Sequence, residues 1–305
     1  MTIEKNGGIA LNKPLRENLF TSFICIDNCV PLIIVGKPGT GKSLSFQILY
    51  NSLKGEYSSS NFFKEKGKLY RYYYQGSESS TSEGIENVFK KARKDKKENL
   101  KMNNNIITLV FFDEMGLAER SKKNPLKIIH FLLEEEKEEK EENEKEEDED
   151  EVKKIPIPFL GISNWKLDAA KINRALSLSI TDYEINDLKE TAIAISEAID
   201  KDIAAKNNYF FEILAKTYYE YLEINKADIK EYRDFHGNRD FYSLIKNSTR
   251  ELIKRKDEIN KDKKKVLTEI GLQSLDRNFG GIEGLNIKIK EILWLYFYLQ
   301  IMRLF

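Results

Sequence analysis

Four short segments within the first 163 residues, rich in apolar and aromatic residues, are predicted to be strands. Short apolar runs of this kind are typical of parallel sheets with both faces covered. The predicted strands are residues 32–35, 69–74, 106–112 and 158–163. Helices are predicted between them, at 14–29, 44–53, from an N-cap at Ser80 through Phe89, and at 124–133. The basic stretch 90–101 is predicted to be a linker. This alternation predicts an α/β fold with a parallel sheet sandwiched by helices.

The pattern changes after about residue 184, where apolar residues recur at spacings of three and four. One stripe predicts an amphipathic helix through Leu188, Ala192, Ile195, Ile199 and Ile203, and a second runs through Phe210, Leu214, Tyr218 and Tyr221. A third helix is predicted at 241–252. We therefore predict a large α/β subdomain at 1–183 with an acidic insert at 134–154, a small helical lid subdomain at 184–257, and a connector or the start of a further module at 258–305.

Charge is distributed unevenly along the chain, although basic and acidic residues each number 50. The segment 134–151 contains fourteen acidic residues and three lysines, so the rest of the chain is basic. A charge block without an apolar stripe is predicted to be a disordered surface loop. The lysines outside it are spread out rather than clustered with aromatic residues, which argues against nucleic acid as the main ligand.

The cysteines and the chain ends exclude several classes of protein. Cys25 and Cys29 are too few for a disulfide framework or a complete zinc site. They are predicted to be buried thiols on one helix, with a half-site shared with another chain as the alternative. Residues 1–12 lack the apolar core of a signal peptide. The apolar run 292–305 is too short to span a bilayer and is predicted to be a buried or partner-packed helix. We therefore expect a cytoplasmic protein without a membrane span.

The residues from Gly36 to Ser43 match the pattern G-x-x-x-x-G-K-[ST], which is typical of a phosphate-binding loop. In such a loop backbone N–H groups curl around the phosphates, the lysine reaches the β- and γ-phosphate oxygens, and the hydroxyl ligates Mg²⁺. The loop lies between a predicted strand and a predicted helix, which is the context that makes the pattern specific. ATP and Mg²⁺ are therefore the predicted cofactors. The predicted binding residues are Gly36, Lys37, Pro38, Gly39, Thr40, Gly41, Lys42, Ser43 and Leu44, with Ser43 also a metal ligand.

Two carboxylates follow the third predicted strand directly. Beside a phosphate loop, Asp113 is predicted to hold Mg²⁺ and Glu114 to orient and polarise the attacking water. Solvated surface charge is the alternative for two carboxylates at the end of a strand. The pairing with the phosphate loop favours the catalytic interpretation.

Three further residues complete the predicted site. Asn164 closes the fourth predicted strand, where its amide would lie near the γ-phosphate, and a polar strand cap is the alternative. Arg174 follows at a place that suits an arginine finger acting on a neighbouring module, with a plain surface arginine as the alternative. Arg239 opens a helix of the small subdomain and is predicted to reach the γ-phosphate, unless it pairs with Asp240 or Glu231.

Several strings resemble the ATPase modules of the mysterin family, giant RING-finger ubiquitin ligases with a dynein-like AAA+ core. They are IALNK at 9–13 with EN at 17–18, PLIIVGKPGTGKSL at 31–44, YQGS at 74–77 followed by STS at 80–82, DEMGLA at 113–118, PLK at 125–127 with His130, GISNW at 161–165, RDFY at 239–242 and RNFGG at 277–281. In this resemblance Asn164 corresponds to the first sensor of AAA+ modules and Arg239 to the second sensor.

The resemblance implies ATP binding and hydrolysis within a ring of fused modules that is coupled to ubiquitin ligation. The implied partners are neighbouring AAA+ modules or subunits and a RING-bearing ligase chain. The chain has no RING-type array of cysteines and histidines, so ligase activity is not expected in it. Two alternatives remain: an ATP-binding structural module with little hydrolysis, and a dynein- or MoxR-like remodelling motor unrelated to ubiquitin.

Overall fold

The computed structural model describes residues 7–133, 155–228, 236–280 and 287–304. These residues divide into two compact units. The first contains 15–37 and 41–181, and the second contains 7–14, 38–40 and the described residues from 182 onward. By their contacts, three residues of the predicted phosphate loop thus belong to the second unit. The three-part division made from the sequence remains a prediction, and the acidic insert 134–154 lies outside the described residues.

Five parallel strands form the sheet of the first unit in the order β2-β3-β4-β1-β5. They are β1 (Leu32–Val35), β2 (Lys68–Gln75), β3 (Ile106–Asp113), β4 (Phe159–Ser163) and β5 (Leu176–Ser179). The three central strands are the buried apolar runs of the sequence, which explains why they could be predicted. The α/β class with a parallel sheet is therefore confirmed. The edge strand β5 was not predicted, because its alternation of leucine and serine is only four residues long.

Helices cover both faces of this sheet. They are α1 (Lys13–Asp27), α2 (Lys42–Ser52), α3 (Asn61–Lys64), α4 (Ser82–Lys101), α5 (Met115–Glu119), α6 (Lys127–Leu133) and α7 (Ala169–Ile172). Successive residues of a strand point to opposite faces. Phe111 of β3 therefore stacks on Phe46 of α2 with ring centroids 3.9 Å apart, whereas Phe112 belongs to the core cluster that includes Phe89 of α4. The short helices α5 and α7 were not predicted.

The second unit is helical and has its own aromatic core. Its helices are α8 (Ile185–Ile199), α9 (Lys201–Lys206), α10 (Asn208–Asp228), α11 (Asn238–Lys254), α12 (Lys256–Lys261), α13 (Lys263–Phe279) and α14 (Ile287–Met302). Buried side chains of α13 and α14 join the same core as those of α8, α10 and α11. The predicted single helix through Ile203 is wrong, because Asp200 interrupts it and caps α9 by accepting a hydrogen bond from the Ile203 N–H.

Two details of α4 also differ from the prediction. Its N-cap is Thr81, whose hydroxyl accepts a hydrogen bond from Gly84 N–H, and not the preceding serine. The stretch 90–101, predicted to be a linker, is helical. Its basic side chains reach distant carbonyl groups: Arg93 Nη2 donates to Leu132 O over 3.0 Å, and Lys96 Nζ donates to Pro156 O over 2.7 Å. The local pattern of apolar and polar residues does not indicate these long-range contacts.

The two cysteines do not share a helix. Cys25 is buried on α1, but the helix ends at Asp27 and Cys29 lies beyond it with a φ of 56°. The prediction that both thiols lie on one helix is therefore wrong. Within the described residues, no helix combines the length and the apolar character needed to cross a membrane.

Candidate functional site

The turn between β1 and α2 is the predicted phosphate loop. It is attached to the sheet through Gly36 N–H, which donates to Ser163 O of β4 over 3.1 Å. Gly39 and Gly41 have φ values of 81° and 82°, a region that side chains other than glycine rarely occupy. The backbone path thus favours glycine at Gly41, which belongs to the pattern, and at Gly39, which lies at one of its variable positions. The loop ends on α2, whose first turn offers backbone N–H groups to an anion.

Lys42 begins α2, and its side chain turns back into the loop. The ammonium group donates hydrogen bonds to Gly36 O and to Lys37 O, the latter over 2.9 Å, and the residue is only 5% exposed. The two carbonyl oxygens thus hold the ammonium group of Lys42 inside the turn, where a phosphate would be bound. Ser43 and Leu44 follow on the exposed side of α2.

The end of β3 has an unusual backbone conformation. Glu114 adopts a left-handed conformation with φ 53° and ψ 42°, and its N–H donates to Asp113 Oδ1 over 2.9 Å. A non-glycine residue in this region stores strain, and such residues cluster at functional sites. The conformation turns the chain sharply into α5. Gly76 allows β2 to end beside it, since a Cβ there would lie 2.2 Å from Glu114 O.

The side chains of Glu114 and Asn164 meet at the carboxyl edge of the sheet. Asn164 Nδ2 donates to Glu114 Oε2 over 2.8 Å. The strand register explains the contact: β4 lies between β3 and β1, so the residues that follow these three strands emerge side by side. Asn164 directly follows Ser163, which is paired with Val35 at the start of the phosphate loop. The spacing of Glu114 and Asn164 along the sequence does not by itself show that their side chains are in contact.

The backbone around Asn164 is supported by Trp165. Ser163 Oγ donates to Trp165 O over 2.6 Å, and the guanidinium of Arg120 lies 4.4 Å from the centre of the indole ring. A Cβ on Gly116 would lie 2.6 Å from the same ring. These contacts pack α5 against the residue that follows Asn164, and so they fix the position of the amide relative to β3.

The donors available for a magnesium ion are few. Within the described residues, no group of three or more His, Cys, Asp or Glu side chains could hold a metal. The predicted ligands, the Ser43 hydroxyl and the Asp113 carboxylate, are hard oxygen donors of the kind that Mg²⁺ prefers when waters and phosphates complete its shell. Burial raises the pKa of Tyr73 above its ordinary value, and the negative charge of Asp113 adds to this rise. The positive charge of Arg71 partly opposes this rise.

The other predicted residues lie on separate elements. Arg174 is exposed between α7 and β5 in the first unit, and Arg239 is exposed in the first turn of α11 in the second unit. Within the first unit the structure brings together Glu114 and Asn164, and within the second unit it places Arg239 against Gly39 of the phosphate loop. His130 contacts the Ala170 carbonyl on α7.

Sequence reasoning missed a set of residues around Gly39 in the second unit. Tyr242 Oη donates to Gly39 O over 2.7 Å, across 203 residues of sequence. Tyr242 is in turn hydrogen-bonded to Tyr183, and Tyr183 to Asn12. The only signal was the RDFY string at 239–242, whose tyrosine has no role in the phosphate-loop pattern.

The strand order, the glycine turn with its lysine, and the carboxylate and amide on adjoining strands define an AAA-type P-loop nucleoside-triphosphatase fold. A family model described as the RNF213 AAA domain matches residues 8–187. The zebrafish E3 ubiquitin-protein ligase rnf213-beta is 35% identical over 280 residues, which is 92% of this chain. RNF213 of mouse is 37% identical and RNF213 of human 35% identical, each over 78% of this chain. The chain therefore belongs to the RNF213 AAA-domain family.

RNF213 is mysterin, so the resemblance to mysterin modules is confirmed. The chain spans 5% of the length of the zebrafish relative and 4% of the length of the mouse and human relatives. The region of similarity is therefore one AAA domain of much longer relatives.

Proposed function

We propose that the chain binds ATP with Mg²⁺ and hydrolyses the ATP. The observation that carries the proposal is the hydrogen bond from Asn164 to Glu114 at the carboxyl edge of the sheet. Beside a phosphate loop, a carboxylate and an amide held together are suited to orient a water molecule and to accept its proton. Membership of an AAA-domain family supports nucleotide binding.

In this proposal the residues have separate tasks. Backbone N–H groups of 36–44 and the Lys42 ammonium bind the phosphates, and Ser43 with Asp113 would hold Mg²⁺, which would neutralise phosphate charge. Glu114 acts as the general base, and Asn164 orients it. Arg174 acting on a neighbouring module and Arg239 acting as a second sensor belong to the same proposal.

A second candidate is tight ATP binding with little hydrolysis. The observation that favours it is the exposure of Arg174. The exposed position of Arg174 suits action on another site. A site that depends on a neighbour's arginine would turn over slowly when the chain is isolated.

The wider setting is inferred from the relatives, whose names describe E3 ubiquitin-protein ligases. We infer that nucleotide state changes the conformation of this module within a ring of modules in the cytoplasm, coupled to a RING-bearing chain. A dynein- or MoxR-like motor would use the same residues without ubiquitin. Co-purification with mass spectrometry distinguishes the two, since only the first predicts an associated RING-bearing chain.

The direct test of the nucleotide site is titration of the chain with a fluorescent ATP analogue in the presence of Mg²⁺. Lys42→Ala removes the buried ammonium and should weaken binding at least about a hundredfold. Lys68→Ala, at an exposed position on β2, is the matched control and should bind like the wild type. Absence of binding by the wild type, or unchanged binding by Lys42→Ala, would contradict the proposal.

A further inference from the structure

Gly39 of the phosphate loop is held by a side chain of α11. The Tyr242 phenol donates to the Gly39 carbonyl over 2.7 Å, and both residues belong to the second unit. A Cβ on Gly39 would lie 3.1 Å from Asn238 Cβ and 3.3 Å from Arg239 N, so the loop backbone packs directly on the first turn of α11. The contact is therefore a close backbone approach combined with a directed hydrogen bond.

Two further side chains are hydrogen-bonded behind Tyr242. The single phenol proton of Tyr242 goes to the Gly39 carbonyl, and Tyr242 is also hydrogen-bonded to Tyr183, a contact that raises the pKa of Tyr242 and lowers that of Tyr183. Tyr183 is in turn hydrogen-bonded to Asn12, whose side-chain donor is Nδ2, and this contact also lowers the pKa of Tyr183. Asn12 Nδ2 also donates to Thr191 Oγ1 over 3.2 Å, which fixes the amide orientation. Burial raises the pKa of both tyrosines above the ordinary value, so both phenols remain donors at neutral pH.

The bond at Gly39 sets the direction of one N–H group in the loop. A trans peptide is planar, and its C=O and N–H point in opposite directions. Because the Gly39 carbonyl points to Tyr242, the N–H of Thr40 in the same peptide points away from Tyr242. Gly39, with φ 81°, has a backbone that could otherwise adopt other conformations.

We propose that Tyr242, supported by Tyr183 and Asn12, is a positioning residue that orients the Gly39–Thr40 peptide for phosphate binding. This inference rests on the proposed nucleotide binding and adds a residue outside the phosphate-loop pattern. It also gives the N-terminal segment around Asn12 a part in nucleotide affinity, although that segment need not touch the nucleotide.

The test uses three tyrosine-to-phenylalanine variants of the 305-residue chain, each of which removes one hydroxyl and keeps the ring. Tyr242→Phe removes the bond to Gly39, and Tyr183→Phe removes its support. Tyr218→Phe is the matched control, because the buried Tyr218 hydroxyl in the same unit has no hydrogen-bond partner among the described residues. Affinity for a fluorescent ATP analogue with Mg²⁺ is measured beside the thermal unfolding midpoint of the nucleotide-free chain.

We expect Tyr242→Phe to weaken nucleotide binding about fivefold, which corresponds to the loss of one hydrogen bond. Tyr183→Phe should weaken it in the same direction by less. The double variant should bind no more weakly than Tyr242→Phe alone, because the two hydroxyls act in one chain. Tyr218→Phe should bind like the wild type. A purely structural role would lower the unfolding midpoint without changing the affinity of the folded protein.

Two results would overturn the inference. If the wild type binds nucleotide and Tyr242→Phe binds it with the same affinity, Tyr242 has no positioning role. The proposed function is then unaffected. Equal losses in Tyr242→Phe and in Tyr218→Phe show a general packing effect instead. If the wild type does not bind the analogue, the proposed function itself is contradicted. That outcome differs from the two above because none of the variants binds the analogue either.

Discussion

Asn164 Nδ2 donates a hydrogen bond to Glu114 Oε2 over 2.8 Å, and so joins the ends of β3 and β4. Glu114 reaches this position only because its backbone adopts a left-handed conformation, with φ 53°. The carboxylate is therefore directed by a strained backbone on one side and by an amide donor on the other. A directed carboxylate beside a phosphate loop is the central feature of the proposed hydrolytic site.

Replacement of Asn164 by alanine tests whether this amide assists Glu114. We expect Asn164→Ala to lower the turnover of ATP at least about tenfold with little change in KM, because the carboxylate loses its orientation while the phosphate loop stays intact. Single-turnover assays with saturating protein measure the effect. Asn173→Ala, an exposed asparagine nearby, is the control. A rise in turnover would show that Asn164 restrains Glu114, and would favour the second candidate function.

Gly76 should tolerate no side chain. A Cβ at this position would lie 2.2 Å from Glu114 O and 3.1 Å from Asp113 O, which are backbone atoms that cannot turn aside. We expect Gly76→Ala to lower the free energy of unfolding by about 1–3 kcal/mol. It should also weaken Mg²⁺-dependent nucleotide binding, because the end of β3 must shift.

Gly237→Ala is the control for this effect, since a Cβ there meets no atom of the described part of the chain within 4 Å and its φ is −120°. Chemical denaturation of both variants gives the comparison. Equal stability of Gly76→Ala and Gly237→Ala would mean that the close approach of β2 to Glu114 is not needed.

The central sheet could be predicted because its strands are buried apolar runs, and two of these runs are followed by carboxylate or amide side chains. Asp113, Glu114 and Asn164 were identified because each stands directly at a strand end, where carboxyl edges of parallel strands carry ligands. That Asn164 touches Glu114 depends on strand order, which is set by packing across the sheet.

The missed elements have physical causes of the same kind. In β5 the alternation of leucine and serine covers only four residues at the edge of the sheet, which is too short to distinguish a strand from a loop. The second half of α4 carries charged residues whose partners, Leu132 O and Pro156 O, are distant in sequence. The contact of Tyr242 with Gly39 spans 203 residues, so no local pattern could indicate it.

His236 should make stability depend on pH. Its side chain is buried against Phe279, and burial lowers the pKa of the imidazole below its ordinary value, partly opposed by the charge of Asp240. The unfolded chain then binds the proton more readily. The stabilising contribution is present above about pH 6.5 and is lost as the pH falls toward the lowered pKa, by at most about 1.4 kcal/mol per pH unit.

We expect urea denaturation of the wild type to show a steeper loss of stability between about pH 7 and pH 5 than that of His236→Gln. The difference between the two curves of unfolding free energy against pH gives the contribution of His236. The carboxylates that titrate in the same range contribute equally to both curves and cancel. Parallel curves for wild type and variant would contradict the burial of a neutral imidazole at this position.

The most direct test of the proposed hydrolysis compares the nucleotide retained by the wild type and by Glu114→Gln after incubation with ATP and Mg²⁺. The amide keeps the size of the side chain but cannot accept a proton from water. Glu83→Gln, at an exposed position on α4, is the control. We predict that the wild type and the control release phosphate and retain ADP, whereas Glu114→Gln retains ATP. If the wild type retains ATP unhydrolysed as Glu114→Gln does, the chain is a nucleotide-binding module and the hydrolytic account is wrong.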